Sequence, residues 1–163
     1  MAIKSMHDLF VESLRDIYHA EKQALRAYPK LLRAVQDEQL KQAFEQHREE
    51  TQGQIERLEQ VFRHLDTRAR GKPCHAMEGL IEEAKEHLEA IQDPEVRDAA
   101  ILAEAQKMEH YEISSYGTMA ALARQLGLND VLPLIEQTLE EEKKTDQILN
   151  KIALSRVNRK AAA

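Results

Sequence analysis

The chain predicts an all-α fold, a four-helix bundle made of two antiparallel αα-hairpins. Three observations carry this expectation. Strong helix formers (Glu, Ala, Leu, Lys, Gln and Arg) dominate the 163 residues, against only 5 Gly and 4 Pro. Apolar residues recur at alternating three- and four-residue steps, and no window is rich in β-branched and aromatic residues at period two. Capping and turn residues then cut the sequence into helical pieces of bundle length.

Ser5 is a natural N-cap, with Asp8 three residues on, for a helix over about residues 6–36. Pro29 lies inside it, and its ring is expected to kink the helix near Leu25. Asp37 can cap a second helix from about 38 to 65, which leaves a very short loop and therefore antiparallel neighbours. Asp66 to His75, with Gly71 and Pro73, reads as a loop. Met77, Leu80, Ile81, Ala84, Leu88 and Ile91 then fall at helical spacing and mark a short amphipathic helix. Asp93-Pro94-Glu95 is a strong helix start, and the helix it opens should end at Gly127. Asn129 is expected to cap the last helix, with Pro133 in its first turn. The plan is one domain over 1–163: a hairpin at 6–65, a long crossover at 66–92 carrying the short helix, a hairpin at 93–157, and a tail at 158–163. A four-helix bundle with one such crossover is the arrangement of ferritin-like folds.

Composition narrows the function. The net charge of −6 argues against a general nucleic-acid binder, so no nucleic-acid partner is expected. Arg68, Arg70 and Lys72 read as a solvated loop; Arg156, Arg159 and Lys160 suit the last turn of a helix, where cations favour the macrodipole. No apolar run approaches the roughly 18 residues of a membrane span, and the N-terminus shows no signal-peptide core. A cytoplasmic protein without a membrane partner is the expectation. Cys74 is the only cysteine, so neither an intrachain disulfide nor a thiolate-rich metal site can form. It suits a small buried or loop residue better than an interchain bridge or a reactive thiol.

The most informative pattern is an interruption. The first seam reads Leu14, Ile17, Glu21, Leu25, Tyr28, Leu32, Val35, and the second Leu40, Phe44, His47, Thr51, Gln54, Leu58, Val61. The third reads Leu102, Ala105, Glu109, Glu112, Tyr116, Met119, and the fourth Leu132, Ile135, Leu139, Glu142, Asp146, Leu149. Each seam breaks into polar residues at a matching depth. A carboxylate in a bundle core costs several kcal/mol unless it protonates, pairs or binds a cation. A weak internal repeat of roughly 90 residues pairs Glu21 and Tyr28 with Glu109 and Tyr116, and Glu50 and Gln54 with Glu142 and Asp146.

Residues four apart share a helix face, so Glu50 with Gln54 and Glu142 with Asp146 can point inward together. Dimetal bundle sites take a Glu from each of two helices and a Glu-x-x-His pair from each of the others. Here Glu21 and either Glu109 or Glu112 are the single carboxylates, and Glu50 and Glu142 the bridging ones. His47 can join as a ligand or supporting group, and Tyr28 and Tyr116 suit donors to buried carboxylates. Neither paired helix carries Glu-x-x-His, since Gly53 and Thr145 stand three after Glu50 and Glu142. Oxygen-rich ligation suits two ions of Fe or Mn, with Mg or Zn as further candidates.

The segments AEKQ (20–23), HREETQGQIERL (47–58), AMEGLIEEA (76–84), VRDAAILAEAQKMEHYEISSYGTMAALA (96–123) and TLEEEKKTD (138–146) closely resemble the YciE/YciF ferritin-like domain family of bacterial stress-associated proteins. The resemblance covers roughly residues 4–158. It implies a ferritin-like core with an extra short helix, a homodimer and a dimetal centre at Glu21, Glu50, Gln54, Glu109 or Glu112, Glu142 and Asp146. It implies no particular reaction. Two functions are therefore expected to compete. One is a stress protein that oxidises Fe(II) or handles O₂ or peroxide, with a small-molecule oxidant as partner. The other is a structural dimer whose polar layer holds metal for stability or not at all.

Overall fold

A computed structural model describes residues 3–163. The chain folds as a ferritin-like four-helix bundle of α1 (Met6–Ala34), α2 (Glu38–His64), α4 (Pro94–Leu126) and α5 (Leu132–Ile152), with α3 (His75–Ala90) in the crossover. A π-helical turn (Ala153–Val157) and α6 (Asn158–Ala161) extend α5. No strand occurs among the described residues.

The helix starts follow from capping chemistry. The Ser5 side chain accepts from the Asp8 N–H, Asp37 from those of Gln39 and Leu40, and Asp93 from those of Glu95 and Val96. The α4 end is a Schellman turn. Gly127 takes φ 68°, its N–H donates to the Arg124 carbonyl, and the Leu128 N–H donates to that of Ala123. The start of α5 differs from expectation. Asn129 does not cap it; the Leu128 carbonyl instead receives the N–H groups of Val131 and Leu132, and α5 has no side-chain cap. The Schellman turn brings the partly buried Leu128 against the core, and its carbonyl takes the place of a side-chain cap at the start of α5. α1 runs unbroken through Pro29.

Antiparallel pairing places the core in two apolar blocks with a polar layer between them. One block holds Phe10, Leu14 and Ile17 of α1 with Leu58, Val61 and Phe62 of α2, and the Tyr18 ring meets Phe62 edge-on at 5.3 Å. The other holds Leu31, Val35, Leu40 and Phe44 with Leu102 and Leu149. α3 lies over the α1 and α4 face. Cys74 caps it through Sγ, is 1 % exposed, and meets the Tyr111 hydroxyl at 2.9 Å. Burial pushes this thiol up, which suits an inert packing residue.

The far end is tied by Asp37 and Asp98. Asp98 of α4 accepts from the backbone N–H groups of Gln36 and Asp37, fixing the α1–α2 turn. Asp37 also accepts from Arg156 Nε at 2.5 Å and Lys160 Nζ at 3.1 Å. Burial pushes the Asp37 carboxyl up, but the hydrogen bonds from Arg156, Lys160 and Leu40 outweigh it and hold the group at about 2. Asp37→Ala removes a cap and leaves two cations without their acceptor. The expected loss is about 2 kcal/mol, roughly 4–8 °C in melting temperature, and an unchanged thermal melt would show that the knot contributes nothing.

Candidate metal centre

Between the apolar blocks the structure gathers His47 of α2, Glu109 and Glu112 of α4, and Glu142 of α5. One ligand atom from each lies within 4.8 Å of the others, and all four residues are buried. His47 Nε2 is 3.0 Å from Glu109 Oε1 and 3.6 Å from Glu142 Oε2. Its Nδ1 lies 3.1 Å from Thr145 Oγ1 and 3.5 Å from Glu50 Oε2, and the Tyr28 ring stands edge-on at 5.6 Å. The imidazole is thus held from three sides with Nε2 aimed into the carboxylates.

Glu21 of α1 is fully buried in the same layer and accepts a 2.5 Å hydrogen bond from the Tyr116 hydroxyl. Gln54 is also fully buried, and its amide donates to Glu141. Arg57 closes this side of the layer, bonding both Glu141 and Thr138.

Several expected residues stand elsewhere. Asp146 lies at the rim, accepting from Gln106 and pairing with exposed His110, while Thr145 takes the inward position. α5 turns Ile135, Thr138, Glu142, Thr145 and Leu149 inward, a register that steps to Thr138 and Thr145 rather than to Leu139 and Asp146. Glu50 is half-buried, bonded to Gln46 and reaching only the outer edge of His47. α1 likewise buries Ala24 and Leu31, with Leu25 and Leu32 partly covered. Glu109 and Glu112 do not compete, because both face inward one turn apart. His47, expected at the margin, lies at the centre.

Burial corrects the repeat as well. The inward set His47, Thr51, Gln54, Leu58 of α2 has the same spacing as Thr138, Glu142, Thr145, Leu149 of α5. Glu50 therefore corresponds to Glu141, and both sit at the rim. In α1 and α4, Glu21 and Tyr28 correspond to Glu109 and Tyr116 as expected, and Ala24 corresponds to Glu112.

The donor atoms fit a cation. Glu21 Oε2, Gln54 Oε1, Glu109 Oε2, Glu112 Oε1 and both Glu142 oxygens are buried without a hydrogen-bond partner. An orphaned buried acceptor costs about 1–3 kcal/mol, and more when charged. With no cation present the layer must hold protons. Burial, opposed by the Tyr116 hydrogen bond and His47, raises Glu21 to about 7. Burial and the neighbouring carboxylates push Glu112 and Glu142 well up. Burial works against the charged His47 ring, but Glu109 and Glu50 overcome it and raise this group too.

An all-helical bundle with one crossover and a buried carboxylate–imidazole layer defines a ferritin-like protein with a candidate metal centre. The chain belongs to the family described as domain of unknown function DUF892, whose model matches residues 5–162. It is 52% identical over 162 residues to Protein YciF of Escherichia coli K12, covering 99% of this chain and 98% of that protein. The crystal structure of that E. coli stress protein superposes with a TM-score of 0.91 over 96% of this chain and 99% of the other. YcfI of Rhodopseudomonas palustris, put forward as a structural protein, matches at 46% identity and TM-score 0.91, covering 93% of this chain and 96% of its own. A Xanthomonas campestris protein at 22% identity and TM-score 0.74, covering 94% of each chain, shares the fold. The family resemblance in the sequence is thus borne out. No helix among the described residues is long and apolar enough to cross a membrane.

The raised groups set a sign for pH. Metal-free native protein binds more protons here than the unfolded chain, so stability falls as pH rises from the ordinary 4.5 of Glu21 through about 7. Glu112, Glu142 and His47 act in the same direction. Chelator-treated protein should therefore melt several degrees lower at pH 8 than at pH 5.5, and Glu21→Gln should reduce the drop. A melting temperature that rises over this range would contradict the protonated layer.

Proposed function

We propose that the layer is a dinuclear cation site and that the protein acts in bacterial stress as a metal-dependent oxidase of Fe(II) or a handler of O₂ or peroxide. The observation that supports this reading is the group of orphaned oxygens on Glu21, Gln54, Glu109, Glu112 and Glu142. Charge supports two ions. Four ionised carboxylates with a neutral imidazole carry four negative charges, which two divalent cations balance and one does not. A net uncompensated charge in this dry layer would cost several kcal/mol.

Glu109, Glu112, Glu142 and His47 Nε2, with Glu21 Oε2 and Gln54 Oε1 beside them, would hold the ions. Hard oxygen donors with one imidazole favour Fe or Mn. Such ions would supply redox chemistry toward O₂ or peroxide. The protein's own contributions are separate. Thr145 and Glu50 at Nδ1 keep Nε2 free to ligate, an outer partner of the kind that fixes a ligating tautomer. The Tyr116 hydroxyl orients Glu21 and leaves its second oxygen inward. The Arg57–Glu141 pair lies over the α2–α5 side of the layer, where Glu141 also accepts from Gln54.

A second reading is a structural protein whose layer shares protons. His47 spanning Glu109 and Glu142 favours it, since that contact compensates part of the charge with no cation. A homodimer belongs to either reading.

Anaerobic loading with Fe(II) or Mn(II) separates them. About two tight ions per chain are expected for the untagged protein, with none retained in Glu109→Gln/Glu142→Gln and near-normal binding in Asp146→Ala. Fe(II)-loaded protein should then consume O₂ or peroxide. Equal binding by the double variant would eliminate the metal centre, and tight binding without turnover would leave a structural cation.

A further inference from the structure

α3 packs tightly on α1 at its start and parts from it further on. Near the start, the Cys74 N–H donates to His19 Nδ1, and Gly71 lies so close that an added Cβ would stand 3.1 Å from His19 Cβ. Beyond this point a cavity of about 230 Å³ opens between α1, α3 and α4. Its floor is apolar: Ala27 and Leu31 of α1, Ile81, Ala84 and Leu88 of α3, and Met108 of α4. Its mouth is cationic. Arg26 and Lys30 stand one turn apart on α1, Lys85 faces them from α3, and no carboxylate lines the cavity. Lys85 bonds Glu82, whereas Arg26 and Lys30 have no ion pair among the described residues. In a chain of net charge −6, such a mouth over an apolar floor is a local reversal of sign.

We propose that this groove binds an amphipathic carboxylate. Its head group would sit between Arg26 and Lys30, where a guanidinium can take both oxygens and an ammonium adds a point charge. Its tail would cover Leu31, Ile81, Leu88 and Met108. An apolar cavity of about 150 Å³ takes benzene, so this one holds a tail of roughly eight to ten carbons. Ligand sites of this kind are concave, mostly apolar and oriented by a few polar groups, as here. The groove backs onto the carboxylate layer, because Met108 and Ala27 adjoin Glu109 and Tyr28, which face the core from the same helices. The inference does not rest on metal in that layer, and it is tested without metal.

Five methionines make the test direct. In chelator-treated protein labelled at the methionine methyl carbons, decanoate should shift the Met108 resonance saturably, at one molecule per chain. The buried methyls of Met77 and Met119 should move little. Arg26→Gln/Lys30→Gln should weaken decanoate at least tenfold at unchanged melting temperature. Ala27→Phe, which fills the groove from a half-buried position, should abolish binding. 1-Decanol should bind the native protein at least tenfold more weakly than decanoate. An unmoved Met108, equal binding of decanol, or decanoate affinity indifferent to the two cations would overturn the proposal. A Met108 shift that follows protein concentration without ligand would assign the groove to a second copy of the chain and overturn it equally.

Discussion

The structure depends on how four buried carboxylates and one imidazole are compensated at mid-height of the bundle. Any helix could hide a single glutamate by protonating it. Here Glu109, Glu112 and Glu142 converge with His47 within 4.8 Å, and Glu21 shares their layer. Their mutual repulsion raises the cost beyond that of separate burial. The apolar blocks above and below must offset this, and they exclude the water that would otherwise screen it. The same dryness strengthens attraction to any cation that enters. What weakens the empty fold is therefore what would make it a strong binder.

The outer groups decide the geometry of the layer. Thr145, Glu50 and the Tyr28 ring leave the His47 imidazole little freedom to turn, and Tyr116 holds one oxygen of Glu21. Thr51 and Thr138 spend their hydroxyls on the carbonyls of His47 and Leu134, so they occupy inward positions without competing for the centre. On the α2–α5 side the Arg57 guanidinium gives Glu141 its countercharge, so that this carboxylate stays at the rim and adds no uncompensated charge to the layer.

Much of this was legible in the sequence. The α2 seam from Leu40 to Val61 and the α4 seam from Leu102 to Met119 are buried as read, because their inward positions include large apolar residues that admit one register. On α5 the steps can alternate as three-four or four-three. Leu139 and Asp146 look like a better core residue and a better ligand than Thr138 and Thr145, yet the packed register chooses the threonines. Only neighbouring helices break such a tie. Glu50 stands at the rim for a different reason: the α2 seam already held Thr51, and Glu50, one residue before it, does not share that face. The centrality of His47 had one available signal, its place in the α2 seam between Phe44 and Thr51. The contact of Nε2 with α4 and α5 required three helices to be placed first. The groove under α3 was not legible at all, because a gap between packed helices leaves no mark on apolar periodicity.

The internal repeat explains why the bundle forms, and its violations explain why a site exists. Corresponding positions carry Glu21 and Glu109, Tyr28 and Tyr116, Leu58 and Leu149, which give two hairpins able to close on one another. A perfect repeat would make the layer symmetric. Instead, Glu112 stands opposite Ala24, Glu142 opposite Thr51, and His47 opposite Thr138. Each difference sets a chemical donor against a small or neutral residue. The effect is to set three carboxylates of α4 and α5 against His47 of α2, while the alanine and the threonines leave room for them. If both members of each pair were acids, the repulsion would exceed what two divalent ions could neutralise. If both were small, there would be an unfilled cavity at the centre of the core. The asymmetry is thus the arrangement that keeps the bundle foldable when empty and leaves a buried His/Glu group that could hold a cation.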